Sequence, residues 1–436
     1  MRTVAPVLPI REGRRRARSF GIVSTFPPTS CGIATFSAAL AAGLIADGGS
    51  VDVVRCGVPV ESDDVLVVGT IGGPSTAATR AAIDSLNAND CVIVQHEYGL
   101  YDGPDGESII AVLDAIDVPT VVVAHTVLSE PTTHQRQVLQ QVCRAADAVV
   151  VMTEMARRRL VEGFGVDPQK VTLIPHGAAT PSSRTAPPVR QPDQPPRLLT
   201  WGLLGPGKGI EWAIDAFGEL ADLRPSPEYV IAGATHPKVR ERQGELVPGH
   251  VAPTGRRVGH RGSGRVRRHL SRPDLAHPAD SIRRSRGASL RLARSGHLRS
   301  PVAVAAGRPV VSTAFPHAVE LLASGAGIIV PQRDPGALAD AIRSVLTQPD
   351  LAASMAAEAR RLSPDLSWAA VATVRGPDEP SRDAHRDPKL GRRMNPTCLP
   401  RPVAERPCRH LRRRQVRHPC DANTGIAPTT WLGSRS

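Results

Sequence analysis

Lys208 and the glycines around it are the residues whose types and spacing point most directly to chemistry. They lie in Leu198–Ile214 (LLTWGLLGPGKGIEWAI), where an apolar run gives way to Gly202, Gly205, Gly207 and Gly209, then to Ile210, Trp212, Ala213 and Ile214. A buried strand, a glycine-rich turn and a helix start in this order present backbone N–H groups to an anion, and the helix dipole adds partial positive charge. Lys208 adds a mobile cation. The ligand such a turn favours is a phosphate or diphosphate. Gly202–Lys208 also fits the G-x-x-x-x-G-K of nucleotide hydrolases, but Gly209 stands where that motif needs Ser or Thr to hold Mg²⁺. The spacing Gly205, Gly207, Gly209 does not meet the dinucleotide pattern G-x-G-x-x-G. A plain strand-to-helix turn beside a solvated lysine is the alternative.

Five further residues carry polar chemistry at or near the ends of apolar runs. His125 closes VPTVVVAH, at the carboxyl end of a strand, where open α/β sheets bind their ligands. His96 and Glu97 follow DCVIVQ, His176 lies in the turn IPHG, and Glu320 belongs to the helical stretch PHAVELL. Each also has a purely structural reading, as a strand cap, a turn residue or a surface carboxylate.

The elements that must position these residues alternate between two periodicities. Ser19–Phe26, Val51–Cys56, Asp90–Gln95, Val118–His125, Ala148–Met152 and Val171–Pro175 read as strands, several of them near-continuous apolar runs of the kind buried on both faces of a parallel sheet. Helical stretches are expected at 33–46, 106–116, 133–146 and from 153 to about Phe164. The alternation argues for a doubly wound α/β fold. Residues 181–196 lie in the Pro-rich stretch TPSSRTAPPVRQPDQPP, which reads as an interdomain linker. A second α/β unit spans 197–373, with strands at 228–233, 308–313 and 327–331 and helices at 335–346 and 351–362.

The chain has 436 residues and a net charge of +13. Residues 246–300 carry +11 and residues 375–436 carry +8, so the rest stands at −6. The basic excess therefore belongs to two blocks rich in Arg, His, Gly, Ser and Pro, without strand or helix period. One account is a disordered basic segment that contacts phosphates of nucleic acid. The sharper expectation is that both blocks have the texture of an out-of-frame translation of a GC-rich gene, because a structureless loop this long is foreign to a compact domain. Residues 1–17 read as a basic extension and 374–436 as a disordered tail. The seven cysteines show no metal spacing, and Cys31, Cys56, Cys91 and Cys143 suit reduced, buried thiols in the cytoplasm. No apolar run is long enough to cross a membrane.

Taken in order, these features resemble the retaining, nucleotide-sugar-dependent glycosyltransferases of family 4, group 1. PPTSCGIATF at Pro27–Phe36 is similar to that family's N-terminal glycine loop, with Gly32 kept and Cys31 where a second glycine is common. IPHG resembles the usual I-P-N-G, GLLGPGKG the donor-phosphate loop, and GATHP at Gly233–Pro237 the strand end that follows it. AVAAGRPVVST at Ala303–Thr313 and PHAVELL resemble the segments after the family's E-x₇-E motif. The resemblance implies two facing Rossmann-like domains of the GT-B type, an acceptor domain over 18–180 and a donor domain over 197–373 disrupted by the basic block. It implies that His125 lies beside the transferred sugar, and that Gly32, Gly207, Lys208, Gly209 and Glu320 hold the donor. No metal and no resident cofactor are implied, only a nucleotide-diphosphate sugar as donor substrate. The acceptor would be an unknown carbohydrate or lipid-linked molecule, and the location the cytoplasm or the inner membrane face, with peripheral membrane contact. No nucleic-acid partner is expected.

Two departures matter. The arginine common near Gly202 is replaced by Leu203 and Leu204. The second carboxylate of the E-x₇-E pair falls at Val302, and the first falls inside the basic block. The reading is a hexosyltransferase impaired in this chain. The alternatives are a nucleic-acid-binding or regulatory α/β protein using its basic segments, and a P-loop-type hydrolase.

Overall fold

Two parallel sheets take up the apolar runs of the chain. The computed structural model describes residues 18–57, 64–72, 75–179, 194–205, 208–235, 239, 265–269, 288–293 and 299–372. The expected extension 1–17, most of the linker, the tail 374–436 and Gly207 lie outside the described residues.

The first lobe comprises β1 (Ser19–Ser24), α1 (Gly32–Ala46), β2 (Ser50–Cys56), β3 (Val67–Ile71), α2 (Thr76–Asn87), β4 (Cys91–His96), α3 (Ile109–Leu113), β5 (Thr120–Ala124), α4 (Thr133–Ala145), β6 (Ala148–Val151), α5 (Glu154–Arg158) and β7 (Val171–Leu173). Its strands pair in the order β3-β2-β1-β4-β5-β6-β7, all in parallel. Chain order reverses between β1 and β4, so a crevice opens outside their carboxyl ends. The period-2 alternation divides the strand side chains between two cores. Val92, Val94, Val122 and Val149 face one, while Ile22, Ile93 and Val123 face the other with α1.

The second lobe comprises β8 (Arg197–Trp201), α6 (Ile210–Gly218), β9 (Glu228–Ala232), β10 (Arg265–His269), β11 (Ala288–Ala293), α7 (Arg299–Ala305), β12 (Val310–Thr313), α8 (Pro316–Leu322), β13 (Gly327–Val330), α9 (Pro335–Thr347) and α10 (Pro349–Leu362). The strand order is β10-β9-β8-β11-β12-β13, again parallel. Its core is built on Leu198, Tyr229, Ile231 and Val311 and, on the opposite face, on Leu199, Trp201, Val302 and Val310.

Several expectations change at this level. The composition of the basic block predicts no strands, yet 265–269 and 288–293 run in the second sheet, the latter between β8 and β12. Neighbouring strands offer backbone N–H and C=O groups whatever the side chains are, and that ladder overrides weak local preference. The helix expected over 106–116 shortens to Ile109–Leu113 after a short 3₁₀ turn at Pro104–Gly106. The sequence pattern does not predict the pair β3 and α2.

The chain also returns to the first lobe. After α10, Ser367 bridges to Ala178, and a last short helix, α11 (Trp368–Ala372), packs on α1. A Cβ on Gly177 would come within 2.5 Å of Trp368 Cε3. Gly177→Ala is therefore expected to cost about 3 kcal/mol by overpacking, measured as a lowered midpoint in urea unfolding. Burial raises the Cys56 and Cys143 thiols to about 12 and Cys91 to about 11, which keeps them protonated and unreactive at neutral pH.

Candidate functional site

The site is assembled from strand ends. At the mouth of β1, the loop to α1 is held by Cys31, whose Sγ accepts from Ala34 N at 3.2 Å and lies 3.1 Å from Thr25 Oγ1. Arg55, at the end of β2, donates to Thr29 Oγ1 at 3.1 Å. These contacts fix the first turn of α1, whose first residue is Gly32. Any ligand in the crevice therefore meets a short, pinned loop.

His125 follows β5 and lies 2.7 Å through Nε2 from Gln95 Oε1, at the end of β4. With the carbonyl oxygen of Gln95 facing it, His125 donates from Nε2. The next residue, Thr126, donates to Glu97 Oε2 at 2.5 Å, so the loops after β4 and β5 are tied together behind the imidazole. Edge-on against Phe36 stand three rings: His125 at 4.9 Å, His176 at 5.0 Å and Trp368 at 5.0 Å between centroids. His176 is buried, and its Nδ1 donates to Gly177 O at 2.5 Å. His317 from α8 of the second lobe lies 6.3 Å from the His176 ring. The sequence thus pointed to His125 and His176 but missed Gln95, Phe36, Trp368 and His317, which join them. Gln95 alone had a legible signal, as a polar residue ending an apolar run.

On the second lobe the chain runs from β8 to α6 through the glycine turn, of which residues 206 and 207 lie outside the described residues. Gly209 has φ 65 and ψ 25, the left-handed conformation that favours glycine, and forms the N-cap of α6. It breaks the chain direction between Lys208 and the helix. The ends of β8 and β9 are zipped by Gly202 N to Ala232 O at 2.9 Å and Leu204 N to Ala234 O at 2.8 Å. Lys208 and Gly209 thus sit at the carboxyl edge of the second sheet, while Gly207 lies outside the described residues. Glu320 leaves its own lobe: its carboxylate accepts from Glu154 N at 2.7 Å and Met155 N at 2.9 Å.

His96 points to the opposite face of β4 and is a separate case. It is fully buried, both ring nitrogens lack a partner among the described residues, and it packs edge-on to Tyr98. Burial lowers its pKa from 6.5 to about 4. Between those values the unfolded chain binds a proton that the folded chain does not, so stability falls as pH drops through that window, by about 3 kcal/mol in full. Urea unfolding of the wild type and of His96→Leu at pH 7 and pH 4.5 checks this: the variant should lose less stability on acidification.

Among the described residues, no group of three or more His, Cys, Asp and Glu is placed to hold a metal ion, and no helix is long and apolar enough to cross a membrane.

Comparison with known proteins agrees with the geometry. The family "Glycosyltransferase Family 4" matches residues 31–180, and "Glycosyl transferases group 1" matches residues 195–348. A D-inositol 3-phosphate glycosyltransferase of Kineococcus radiotolerans is 29% identical over 260 residues, covering 53% of this chain and 57% of the relative. The chain thus spans somewhat over half the length of that relative. HepE of Anabaena, solved with UDP and glucose, superposes with a TM-score of 0.59 at 15% identity, over 82% of this chain and 97% of that one. Sucrose-phosphate synthase of Thermosynechococcus elongatus gives 0.59 at 18% identity, over 81% and 96%. These two establish the shared GT-B fold.

Proposed function

This chain belongs to the group 1, family 4 glycosyltransferases, and from that premise we propose that it moves a hexose from a nucleotide-diphosphate sugar to an acceptor hydroxyl with retention of configuration. The observation that carries this reading is the turn at Gly209. A left-handed glycine caps α6 beside Lys208, at the carboxyl edge of the second sheet. Departure of a nucleoside diphosphate puts negative charge on the bridging oxygen, and the Lys208 ammonium together with the N–H groups at the start of α6 stabilises that charge. Gly207, adjacent to Lys208 in the sequence, is assigned to the donor with it on the resemblance alone. Gly32 lets the first lobe's backbone come close to the donor, and His125, oriented by Gln95, hydrogen-bonds a sugar hydroxyl. Glu320, expected from the resemblance to hold the donor, instead has both carboxylate oxygens engaged by Glu154 N and Met155 N, so any bearing it has on the donor is indirect. None of these is nominated as a nucleophile.

Transfer is expected to be slow in this chain. The position at which the family's second donor carboxylate falls is Val302, which is 5% exposed and packed in the core with Leu199 and Trp201. No carboxylate reaches the donor from there. The out-of-frame origin of the basic blocks rests on their composition, and translation of the coding DNA in all three frames tests it. The D-inositol 3-phosphate relative makes a phosphorylated polyol the first acceptor to try.

The test is incubation with UDP- and GDP-hexoses in EDTA, following nucleoside diphosphate release and the anomeric signals of the product. Slow release without added metal and a product of the donor's own anomeric configuration support the reading. Inverted product overturns retention. No release from any nucleotide sugar, together with no nucleotide binding, overturns the transferase assignment.

A further inference from the structure

The start of α5 is capped from the other lobe. A helix leaves its first N–H groups without partners inside the helix. In α4 the chain satisfies them locally: Thr132 and Gln135 form a reciprocal capping box. In α5 the N-cap Thr153 accepts only from Ala156 N, at 3.1 Å, and position 156 is an alanine that has nothing to return. The two N–H groups before it, on Glu154 and Met155, donate to the two carboxylate oxygens of Glu320, at 2.7 and 2.9 Å. Glu320 lies on α8, 166 residues away and in the second lobe. The same helix carries His317, whose ring stands against His176 of the first lobe. One short helix thus reaches the first lobe at two points, and one of these is a charge-assisted pair of hydrogen bonds aligned with a helix dipole.

We propose that Glu320 is an interlobe latch: a positioning residue that holds the two lobes together by capping α5 in trans. Separation of the lobes returns both N–H groups and the carboxylate to water, so the contact exists only in the apposed arrangement. Its bearing on donor binding rests on the transferase reading. There Glu320 acts on the nucleotide sugar by keeping the cleft closed around it, which separates its role from that of Lys208.

The latch is tested without any nucleotide. Amide hydrogen exchange of the full chain is followed by mass spectrometry in the peptide holding Glu154 and Met155 and in peptides of β8 and β9, alongside the radius of gyration from small-angle scattering. Glu320→Ala and Glu320→Gln are both compared with the wild type. About tenfold faster exchange at Glu154 and Met155, unchanged protection in β8 and β9, and a larger radius of gyration are expected for Glu320→Ala, with Glu320→Gln between it and the wild type. Unchanged exchange at Glu154 and Met155 in a Glu320→Ala chain whose β8 and β9 stay protected overturns the proposal. Loss of protection throughout the second lobe in both variants also overturns it, by assigning Glu320 to the folding of its own lobe. Failure of the transferase reading would instead appear as absent nucleotide binding with the latch signature intact.

Discussion

Gly233→Ala is expected to collapse the ligand edge of the second sheet. Gly233 follows β9 with φ 143, outside the range an L side chain readily adopts. A Cβ there would lie 2.0 Å from Gly202 O and 2.9 Å from Gly202 C. Both neighbours are backbone, held by the Gly202 N to Ala232 O hydrogen bond, so neither can rotate away as a side-chain tip would. Steric overlap and the strained φ act together, and the expected cost is about 4 kcal/mol or more, among the largest that single substitutions give. The near-ultraviolet tryptophan signal, to which Trp201 at the end of β8 contributes, should lose its cooperative transition or melt well below the wild type. A melting curve that superposes on the wild type would mean that the ends of β8 and β9 do not approach each other this closely.

Lys208→Ala should leave the fold intact and remove most of the nucleotide affinity. Lys208 is half-buried at the turn before α6 and belongs to neither core cluster of its lobe. Loss of a charge-assisted hydrogen bond from a lysine to a diphosphate costs about 1.5–3 kcal/mol, or roughly 10²-fold in affinity at the upper end. Thermal shift with UDP and GDP in EDTA measures it. The wild type should be stabilised by millimolar nucleotide and the variant scarcely at all, with equal melting temperatures in buffer alone. Equal shifts in both proteins would place the diphosphate elsewhere.

The parts of this architecture legible in the letters are those governed by local pattern. The run Asp90–Gln95 became β4, Val118–His125 became β5 and Leu198–Trp201 most of β8, because a strand buried on both faces needs consecutive apolar residues. The glycine turn was legible because a left-handed N-cap narrows the choice of residue at 209. β3 escaped notice because Val67–Ile71 is a short edge strand interrupted by Gly69, and α2 because its Ala- and Thr-rich face buries little beyond Ala82 and Leu86. β10 and β11 escaped because their placement comes from neighbouring strands and not from their own composition. The return of Trp368 to Phe36 and Gly177 is a tertiary contact with no periodic trace. Glu320 was legible as an acidic position on a helix, but its partners were not: backbone N–H groups are the same in every residue but proline, so no letter marks them.

If the chain is a nucleotide-sugar transferase, it must bind a nucleotide-diphosphate sugar. Isothermal titration of the purified full chain with UDP, GDP and their hexose conjugates in EDTA tests it most directly, because binding does not depend on how slowly the chain turns over. Saturable binding of at least one nucleoside diphosphate without Mg²⁺, competitive with the matching nucleotide sugar, is expected. Absence of nucleotide binding in EDTA, with salt-dependent binding of nucleic acid in its place, would contradict it.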